Sequence, residues 1–276
     1  MKGKVYLVGA GPGDPELLTV KALRLLRTAS VVLHDDLVAP EILELTSPTA
    51  HVQNVGKRCG RKAIRQEEIN FLMVTWAGSG RQVVRLKSGD PLIFGRAGEE
   101  IEALRRAGIE YEIVPGVTSA LGAAAAAGIP LTHRQASSTL VLATGNRATG
   151  NDGADWSQFA AAQATLVLYM PGQNYGEIAR KLLNAGFAAE TPCALISRAT
   201  TAQQRVHRTT VSQIYRAPQL TSPTLLVVGE VVRFADQELV QNLASGPELS
   251  AEYGPALGQA LLSPLESLSR NEEPLA

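Results

Sequence analysis

The chain has 276 residues, of which 45% are hydrophobic and 19% are charged, so it is long and apolar enough for one large or two medium globular domains. Its 26 Lys and Arg residues balance its 26 Asp and Glu residues, which excludes an overall field that attracts nucleic acid or an acidic membrane. Two distant cysteines and four scattered histidines form neither a disulfide framework nor a metal motif, so we expect no metal.

The N-terminal residues run directly into an apolar segment without the pattern of a signal peptide. No apolar run approaches the roughly 18 residues that a membrane-spanning helix needs. We therefore expect a cytoplasmic protein with neither a membrane nor a nucleic acid as partner.

The first predicted strand ends in a turn that contains Gly9, Gly11 and Gly13. A short apolar run followed by glycines predicts a buried strand and a turn where backbone approaches a ligand closely. Asp14 is predicted to cap a helix that begins at Pro15. Because the third glycine of a dinucleotide fingerprint would stand at position 14, that motif is absent. A nucleotide-like ligand and a turn that only reverses the chain both remain open.

A second predicted strand, at residues 31–33, is followed by Asp35 and Asp36. The succession of strand, helix and strand with short connections predicts a parallel sheet. A carboxylate at the carboxyl end of such a strand lies at the edge where α/β sheets bind ligands. In the alternative interpretation, one of the two aspartates caps the helix that begins near Pro40.

A third predicted strand, at residues 51–55, precedes a basic segment. Five cations lie within nine residues of this segment: Lys57, Arg58, Arg61, Lys62 and Arg65. Such a run is typical of a solvated loop, and the alternative is a basic flap over a polyanionic substrate.

A fourth predicted strand, at residues 83–86, again ends in a glycine and a carboxylate, Gly89 and Asp90. Arg96 and Glu99 follow three residues apart, so they share one face if a helix begins there. The two side chains are candidates for a functional pair, and a surface ion pair is the alternative.

A fifth strand at residues 111–114 and a hinge at 115–119 end the first half of the chain. An alanine-rich helix at 123–127 follows, and the remaining predicted strands lie at 140–143, 165–169, 193–196 and 225–228. We therefore predict two α/β domains with mostly parallel or mixed sheets, at residues 1–115 and 119–235. Residues 236–276 are predicted to form a C-terminal extension that is disordered in part.

The ordered set of motifs resembles that of the uroporphyrinogen-III C-methyltransferases, which are tetrapyrrole methylases. The motifs are Val5-Tyr6-Leu7-Val8-Gly9-Ala10-Gly11-Pro12-Gly13-Asp14, Gly56-Lys57-Arg58, Val84-Arg85-Leu86-Lys87, Gly89-Asp90-Pro91, Val114-Pro115-Gly116-Val117-Thr118-Ser119, Leu131-Thr132-His133-Arg134 and Tyr169-Met170. The resemblance covers residues 4–232. It implies a homodimer of two-domain subunits that binds S-adenosylmethionine in the cleft between the domains.

The resemblance also implies roles for individual residues. Implied contacts with S-adenosylmethionine fall on Pro12, Ser88, Gly89, Asp90, Ile93, Thr118, Ser119, Met170 and Ala199. Implied catalytic residues are Asp35 and Lys57, as base and acid, together with Arg96. Arg96, Glu99 and Arg134 match positions of the tetrapyrrole pocket. The implied reaction methylates uroporphyrinogen III at C-2 and C-7, through precorrin-1 to precorrin-2.

Two positions depart from the family's motifs. Ser88 stands where the family usually has glycine, and Asp36 stands where it has a substrate-contacting arginine. Two other functions stay open beside the implied one: a methyltransferase of the same fold that acts on another corrin precursor, and a non-catalytic binder of S-adenosylmethionine or tetrapyrrole. The motifs do not distinguish sirohaem, cobalamin and haem d1 as the destination of the product.

Overall fold

The computed structural model describes residues 2–56, 64–145 and 156–235, and within these ranges the protein forms two five-stranded sheets. The first sheet contains β1 (Lys4–Gly9), β2 (Val31–His34), β3 (His51–Asn54), β4 (Val83–Lys87) and β5 (Glu110–Val114). The second sheet contains β6 (Leu140–Thr144), β7 (Thr165–Tyr169), β8 (Pro192–Ser197), β9 (Arg205–Thr210) and β10 (Thr224–Val228). Most of the predicted basic segment and the whole predicted C-terminal extension lie outside the described residues.

Seven α-helices and three short 3₁₀ helices connect the strands in the described ranges. The α-helices are α1 (Val20–Thr28), α2 (Pro40–Leu43), α3 (Gln66–Gly78), α4 (Ala97–Arg106), α5 (Ser119–Ala126), α6 (Ser157–Ala161) and α7 (Tyr175–Asn184). The 3₁₀ helices are Pro15–Leu17, Val211–Arg216 and Glu230–Phe234. None of the helices in the described ranges is both long and apolar enough to cross a membrane.

The first sheet is parallel throughout, in the order β3-β2-β4-β1-β5. Its inner strands β1, β2 and β4 are largely buried on both faces, because α1 and α2 cover one face and α3 and α4 cover the other. The edge strand β3 is mostly exposed, and β5 is mostly half-buried. This arrangement explains the unbroken apolar runs, because helices shield both sides of a parallel sheet from water. The carboxyl ends of β1, β2 and β4 therefore meet at one edge.

The second sheet is mixed, in the order β6-β7-β10-β8-β9. β6 and β7 are parallel, whereas β10 runs antiparallel to both β7 and β8. α5 and the 3₁₀ helix Glu230–Phe234 pack on one face, and α7 and Val211–Arg216 pack on the other. The predicted α/β fold with mostly parallel or mixed sheets is confirmed.

The nine strands predicted from apolar runs are all present, and β9 is the one the sequence did not reveal. β9 is an antiparallel edge strand that pairs with β8 alone, and Val206 is the single apolar residue among its six half-buried or exposed residues. An edge strand of this kind needs no continuous apolar run, so the pattern used for the other strands does not detect it.

The helix predicted at Pro15 is shorter than expected. The Oδ1 atom of Asp14 accepts a hydrogen bond from the backbone N–H of Glu16 (2.8 Å), but the turn it caps is the 3₁₀ helix Pro15–Leu17. α1 begins afresh at Val20, where the hydroxyl of Thr19 accepts from the N–H of Ala22 (3.2 Å). The predicted cap is confirmed, and the helix it begins ends at Leu17 while Thr19 supplies a separate N-cap for α1.

Candidate active site

Two glycine turns meet at the carboxyl edge of the first sheet. The N–H of Gly89 donates to the carbonyl of Gly11 (2.7 Å), and the N–H of Gly11 donates to the carbonyl of Gly89 (3.1 Å). Both residues have positive φ, +74° at Gly11 and +68° at Gly89, which a side chain rarely tolerates. The turns after β1 and β4 are thus joined through their backbones.

The start of α5 lies against the turn after β4. A Cβ atom placed on Gly89 would lie 3.4 Å from Oγ of Ser119 and 3.9 Å from Cα of Thr118. The Asp90 carboxylate accepts from the N–H of Gly116 (3.1 Å) and from the N–H of Leu92 (2.8 Å). Asp90 therefore fixes the turn against the segment that leads into α5, in addition to any contact with a ligand.

Tyr169, the last residue of β7, ties the second sheet to α5. Its hydroxyl shares a hydrogen bond with Oγ1 of Thr118 (2.6 Å) and accepts one from the N–H of Ala120 (3.0 Å). The Thr118 side chain makes no capping hydrogen bond of its own, so the Tyr169 hydroxyl satisfies this amide of the first helical turn. Burial, opposed by these two hydrogen bonds, raises the pKa of Tyr169 above its ordinary value.

Tyr169→Phe is expected to destabilise the protein by about 1–3 kcal/mol, because it leaves a buried amide and a buried hydroxyl without their shared partner. Denaturant-induced unfolding measures the change. Tyr215→Phe is the matched control, since Tyr215 is exposed and should stay within about 0.5 kcal/mol of wild type. Equal stability of the Tyr169→Phe variant and wild type would show that water replaces the hydroxyl.

The first glycine turn contacts the second half of the chain. The N–H of Asp14 donates to Oγ1 of Thr200 (3.1 Å), and a Cβ atom on Gly13 would lie 3.4 Å from the carbonyl oxygen of Ala199. A Cβ atom on Gly122 in α5 would lie 2.5 Å from Cγ of Pro12, so the turn packs directly on that helix. Pro12 and Ala199 are thereby brought to the same region as the Gly11–Gly89 bridge.

Ile93 and Met170 complete the set of implied cofactor contacts. Ile93 packs against the core cluster that contains Tyr169 and Ala199. Met170 follows β7 with φ of +49° and is 49% exposed, an uncommon backbone conformation and an uncommon exposure for methionine. The cofactor roles of these residues stay predictions, and the structure places Ile93 against the cluster that contains Ala199 and Tyr169, the residue before Met170.

Left-handed backbone recurs in the segments that follow several strands. Positive φ values occur at five non-glycine residues there: Phe94, Arg96, Met170, Arg198 and Thr200. Such conformations cost free energy and concentrate at functional sites, which supports a site at this cleft. The sequence does not reveal these conformations, because glycine and asparagine are the residue types that commonly indicate a positive φ.

Asp35 lies at the same edge as the glycine turns. Its N–H donates to the carbonyl of Leu86 (3.1 Å), while the N–H of Ala10 donates to the carbonyl of Lys87 (2.7 Å), so Asp35 and the first turn flank the end of β4. The Oδ1 atom of Asp35 accepts from Nη2 of Arg85. α2 begins at Pro40 with no side-chain cap, so the alternative that Asp35 or Asp36 caps this helix was wrong.

A buried charged cluster lies beneath Asp35, and sequence reasoning missed it. The Nε atom of Arg85 donates to Oε1 of Glu100 (2.9 Å), and Nζ of Lys87 lies 3.0 Å from the same oxygen. Burial lowers the pKa of Lys87, with the nearby Arg85 guanidinium adding to the effect. Burial by itself would lower the pKa of Arg85, but the Asp35 and Glu100 carboxylates together raise that pKa above its ordinary value. The available signal was two cations within a strand that the apolar pattern predicts to be buried on both faces.

The residues implied in substrate binding lie on two surface segments. Nε and Nη2 of Arg96 donate to the two carboxylate oxygens of Glu99 (2.8 and 2.7 Å), and these bonds foremost raise the pKa of Arg96. Both side chains are about half exposed, so the predicted surface ion pair is present. Arg134 is exposed in the turn between α5 and β6, which the bridge between His133 and Ser137 closes. Lys57 lies outside the described residues.

The sequence model of the family described as "Tetrapyrrole (Corrin/Porphyrin) Methylases" matches residues 4–215. The chain belongs to this family. A siroheme synthase of Azotobacter vinelandii is 50% identical over 238 residues, which are 85% of this chain and 51% of the relative. This tetrapyrrole methylase therefore spans about half the length of the curated relatives it matches.

Two solved tetrapyrrole-modifying enzymes share the fold of this tetrapyrrole methylase. A uroporphyrin-III C-methyltransferase from Thermus thermophilus, solved with S-adenosyl homocysteine, is 42% identical, with a TM-score of 0.73 over 84% of this chain and 99% of that one. A cobalt precorrin-4 methyltransferase of cobalamin biosynthesis is 32% identical, with a TM-score of 0.73 over 83% of this chain and 95% of that one.

Proposed function

We propose that this tetrapyrrole methylase transfers two methyl groups from S-adenosylmethionine to C-2 and C-7 of uroporphyrinogen III, giving precorrin-2 through precorrin-1. One observation carries the proposal: a carboxylate, Asp35, is held by Arg85 at the same sheet edge as the Gly11–Gly89 backbone bridge. A base beside a glycine-lined ligand surface is what methylation of a carbon atom requires. The 42% identical Thermus enzyme supports the choice of uroporphyrinogen III as substrate.

The residues around the cleft fit S-adenosylmethionine. The half-buried hydroxyls of Ser88 and Ser119 offer polar contacts beside the Gly89 turn, and the half-exposed Met170 offers apolar surface. The Thr118 hydroxyl is buried and bonded to Tyr169, so its proposed contact with the cofactor is through the backbone or the methyl group. When bound, S-adenosylmethionine supplies an electrophilic methyl group on a sulfonium. The chain's own contribution is to hold both reactants in line and to exclude water from the cleft.

Asp35 accepts the proton that the methylated pyrrole loses. Its Oδ1 atom is bound by Arg85, and its Oδ2 atom lies 4.0 Å from Nζ of Lys87, which is beyond hydrogen-bond distance. The Asp35 side chain is 29% exposed, so one part of the carboxylate faces the cleft while the other part is anchored in the protein. Lys57 is the complementary acid in this proposal.

The substrate carries eight carboxylates, whereas the chain has zero formal net charge. Local guanidinium groups must therefore supply the attraction, and Arg96 and Arg134 are the proposed contacts, with Glu99 holding Arg96 in place. We also infer from the family resemblance that the protein is a cytoplasmic homodimer. Sedimentation analysis of the purified protein tests whether it is a dimer.

The test is anaerobic incubation of the purified protein with uroporphyrinogen III and S-adenosylmethionine labelled with ¹³C in its methyl group. Mass spectrometry and ¹³C NMR of the product are expected to show two labelled methyl groups, at C-2 and C-7. Ligand binding by calorimetry without any labelled product would identify a non-catalytic binder. Labelling of a cobalt precorrin but not of uroporphyrinogen III would assign the protein to another step.

A further inference from the structure

The buried face of the first sheet carries charges that the proposed reaction does not touch. Glu100 on α4 is fully buried at 0% exposure, and Arg85 and Lys87 on β4 are almost as inaccessible. Of these four clustered side chains, Asp35 alone is appreciably exposed. The cluster therefore extends from the interior of the domain to the carboxyl edge of the first sheet, where the Asp35 carboxylate is its exposed member.

Arg85 is held in a single orientation by contacts on all sides. Its Nε atom donates to Glu100, its Nη2 atom donates to Asp35, and its Nη1 atom donates to the carbonyls of Leu33 (3.3 Å) and Leu86 (3.2 Å). The guanidinium is planar, so a partner at Nε fixes the plane in which Nη2 meets Asp35. Among these contacts, Glu100 is the charged partner other than Asp35.

Glu100 also binds the second cation. Nζ of Lys87 is 3.0 Å from Oε1 of Glu100 and 4.0 Å from Oδ2 of Asp35. The amide of Gln66 on α3 donates to the same Glu100 oxygen (3.4 Å), which anchors the carboxylate between two helices. Glu100 thus keeps the Lys87 ammonium out of hydrogen-bond distance of the Asp35 oxygen that faces it.

A purely stabilising role does not account for this cluster. Replacing buried ion pairs by apolar side chains is often neutral or even stabilising, because desolvation offsets the attraction between the charges. Among the residues that the structure describes, the buried Oε2 atom of Glu100 has no hydrogen-bond partner, which adds a further cost. The three buried charges of Arg85, Lys87 and Glu100 lie on the inner side of the Asp35 carboxylate, which points instead to a role in holding that carboxylate.

We propose that Glu100 is a positioning residue for Asp35, which it holds at the rim by fixing Arg85 and by restraining Lys87. The inference rests on the proposed function, because it assigns Asp35 the role of base. Glu100 itself touches neither reactant.

The first test is Glu100→Gln, which keeps the shape of the side chain and removes its charge. It is expected to lower kcat by about 10- to 100-fold with unchanged KM for both substrates, the range seen when an outer-shell partner of a functional group is lost. Glu102→Gln is the matched control on the same helix, since Glu102 is exposed and paired with Arg106 at the surface. The control is expected to keep the wild-type kcat.

A double-mutant cycle separates positioning from stability. In an Asp35→Asn background, Glu100→Gln is expected to cause no further loss of kcat, because its effect passes through Asp35. Losses that multiply independently would overturn the proposal. If Glu100→Gln does not fold, the double variant Glu100→Gln with Lys87→Met removes one charge of each sign and so restores the charge balance of the cluster. A wild-type kcat in this double variant would also overturn the positioning role of Glu100.

A readout independent of turnover keeps this inference distinct from the proposed function. Crystal structures of wild type and Glu100→Gln are expected to differ in the contact between Arg85 and Asp35, which is lost in the variant. An unchanged contact contradicts the positioning role even if the wild type methylates uroporphyrinogen III. A wild type that fails to methylate uroporphyrinogen III contradicts the proposed function, whatever the position of Asp35.

Discussion

Asp35→Asn is expected to lower turnover by at least about 100-fold, the usual scale for removing a general base. The substitution keeps the size of the side chain and replaces the proton-accepting carboxylate by an amide. Since Asp35 lies on the substrate side of the Gly11–Gly89 bridge in this proposal, affinity for S-adenosylmethionine should not change. Single-turnover kinetics and calorimetric titration measure the two quantities on the same preparation.

Asp36→Asn provides the matched control for this experiment. Asp36 is the next residue in the chain, and its Oδ1 atom accepts from Nδ2 of Asn54 (3.1 Å) rather than from the buried cations. Its replacement should leave turnover close to wild type. Wild-type turnover in Asp35→Asn would remove Asp35 from the chemistry and make Lys57 the next candidate. A melting curve of each variant shows whether loss of the Arg85 partner has disturbed the fold.

The position of Asp35 was predictable, whereas its surroundings were not. The position follows from local pattern alone, because an apolar run that ends in an aspartate places that aspartate at the carboxyl edge of a parallel sheet. The two glycine turns were predictable for the same reason, and the structure joins them through Gly11 and Gly89. In each case the chemistry is carried by residues within a few positions of a strand end.

The buried cluster depends on tertiary contacts that the sequence does not display. Glu100 stands fifteen positions after Arg85, on the helix that follows, and its spacing from Arg96 and Glu99 gives no sign that it faces inward. Arg85 and Lys87 lie two residues apart on a strand, so they share a face, but which helix covers that face depends on the sheet order. The sequence alone shows only that two cations lie in a strand predicted to be buried, which is unusual for charged residues.

Arg96→Lys and Arg134→Lys are each expected to raise the KM for uroporphyrinogen III by about tenfold or more, with affinity for S-adenosylmethionine unchanged. A lysine keeps the charge but loses the planar pair of donors that matches a carboxylate. In the structure, Glu99 occupies two donors of Arg96, so a substrate carboxylate must bind the remaining edge or exchange with Glu99. Exposed pairs of this kind contribute about 0–1 kcal/mol, so the exchange costs little.

Arg106→Lys is the control for these two variants, because Arg106 lies at the other end of α4 and forms a more exposed pair with Glu102 (2.9 Å). Its KM for the tetrapyrrole should equal that of wild type, which would show that replacing a guanidinium by an ammonium does not by itself raise the KM. A normal KM in both Arg96→Lys and Arg134→Lys would move substrate recognition to the basic segment at residues 57–65. Removing cations there would then raise the KM without affecting the cofactor, because an anion of eight carboxylates still needs guanidinium or ammonium groups at contact distance.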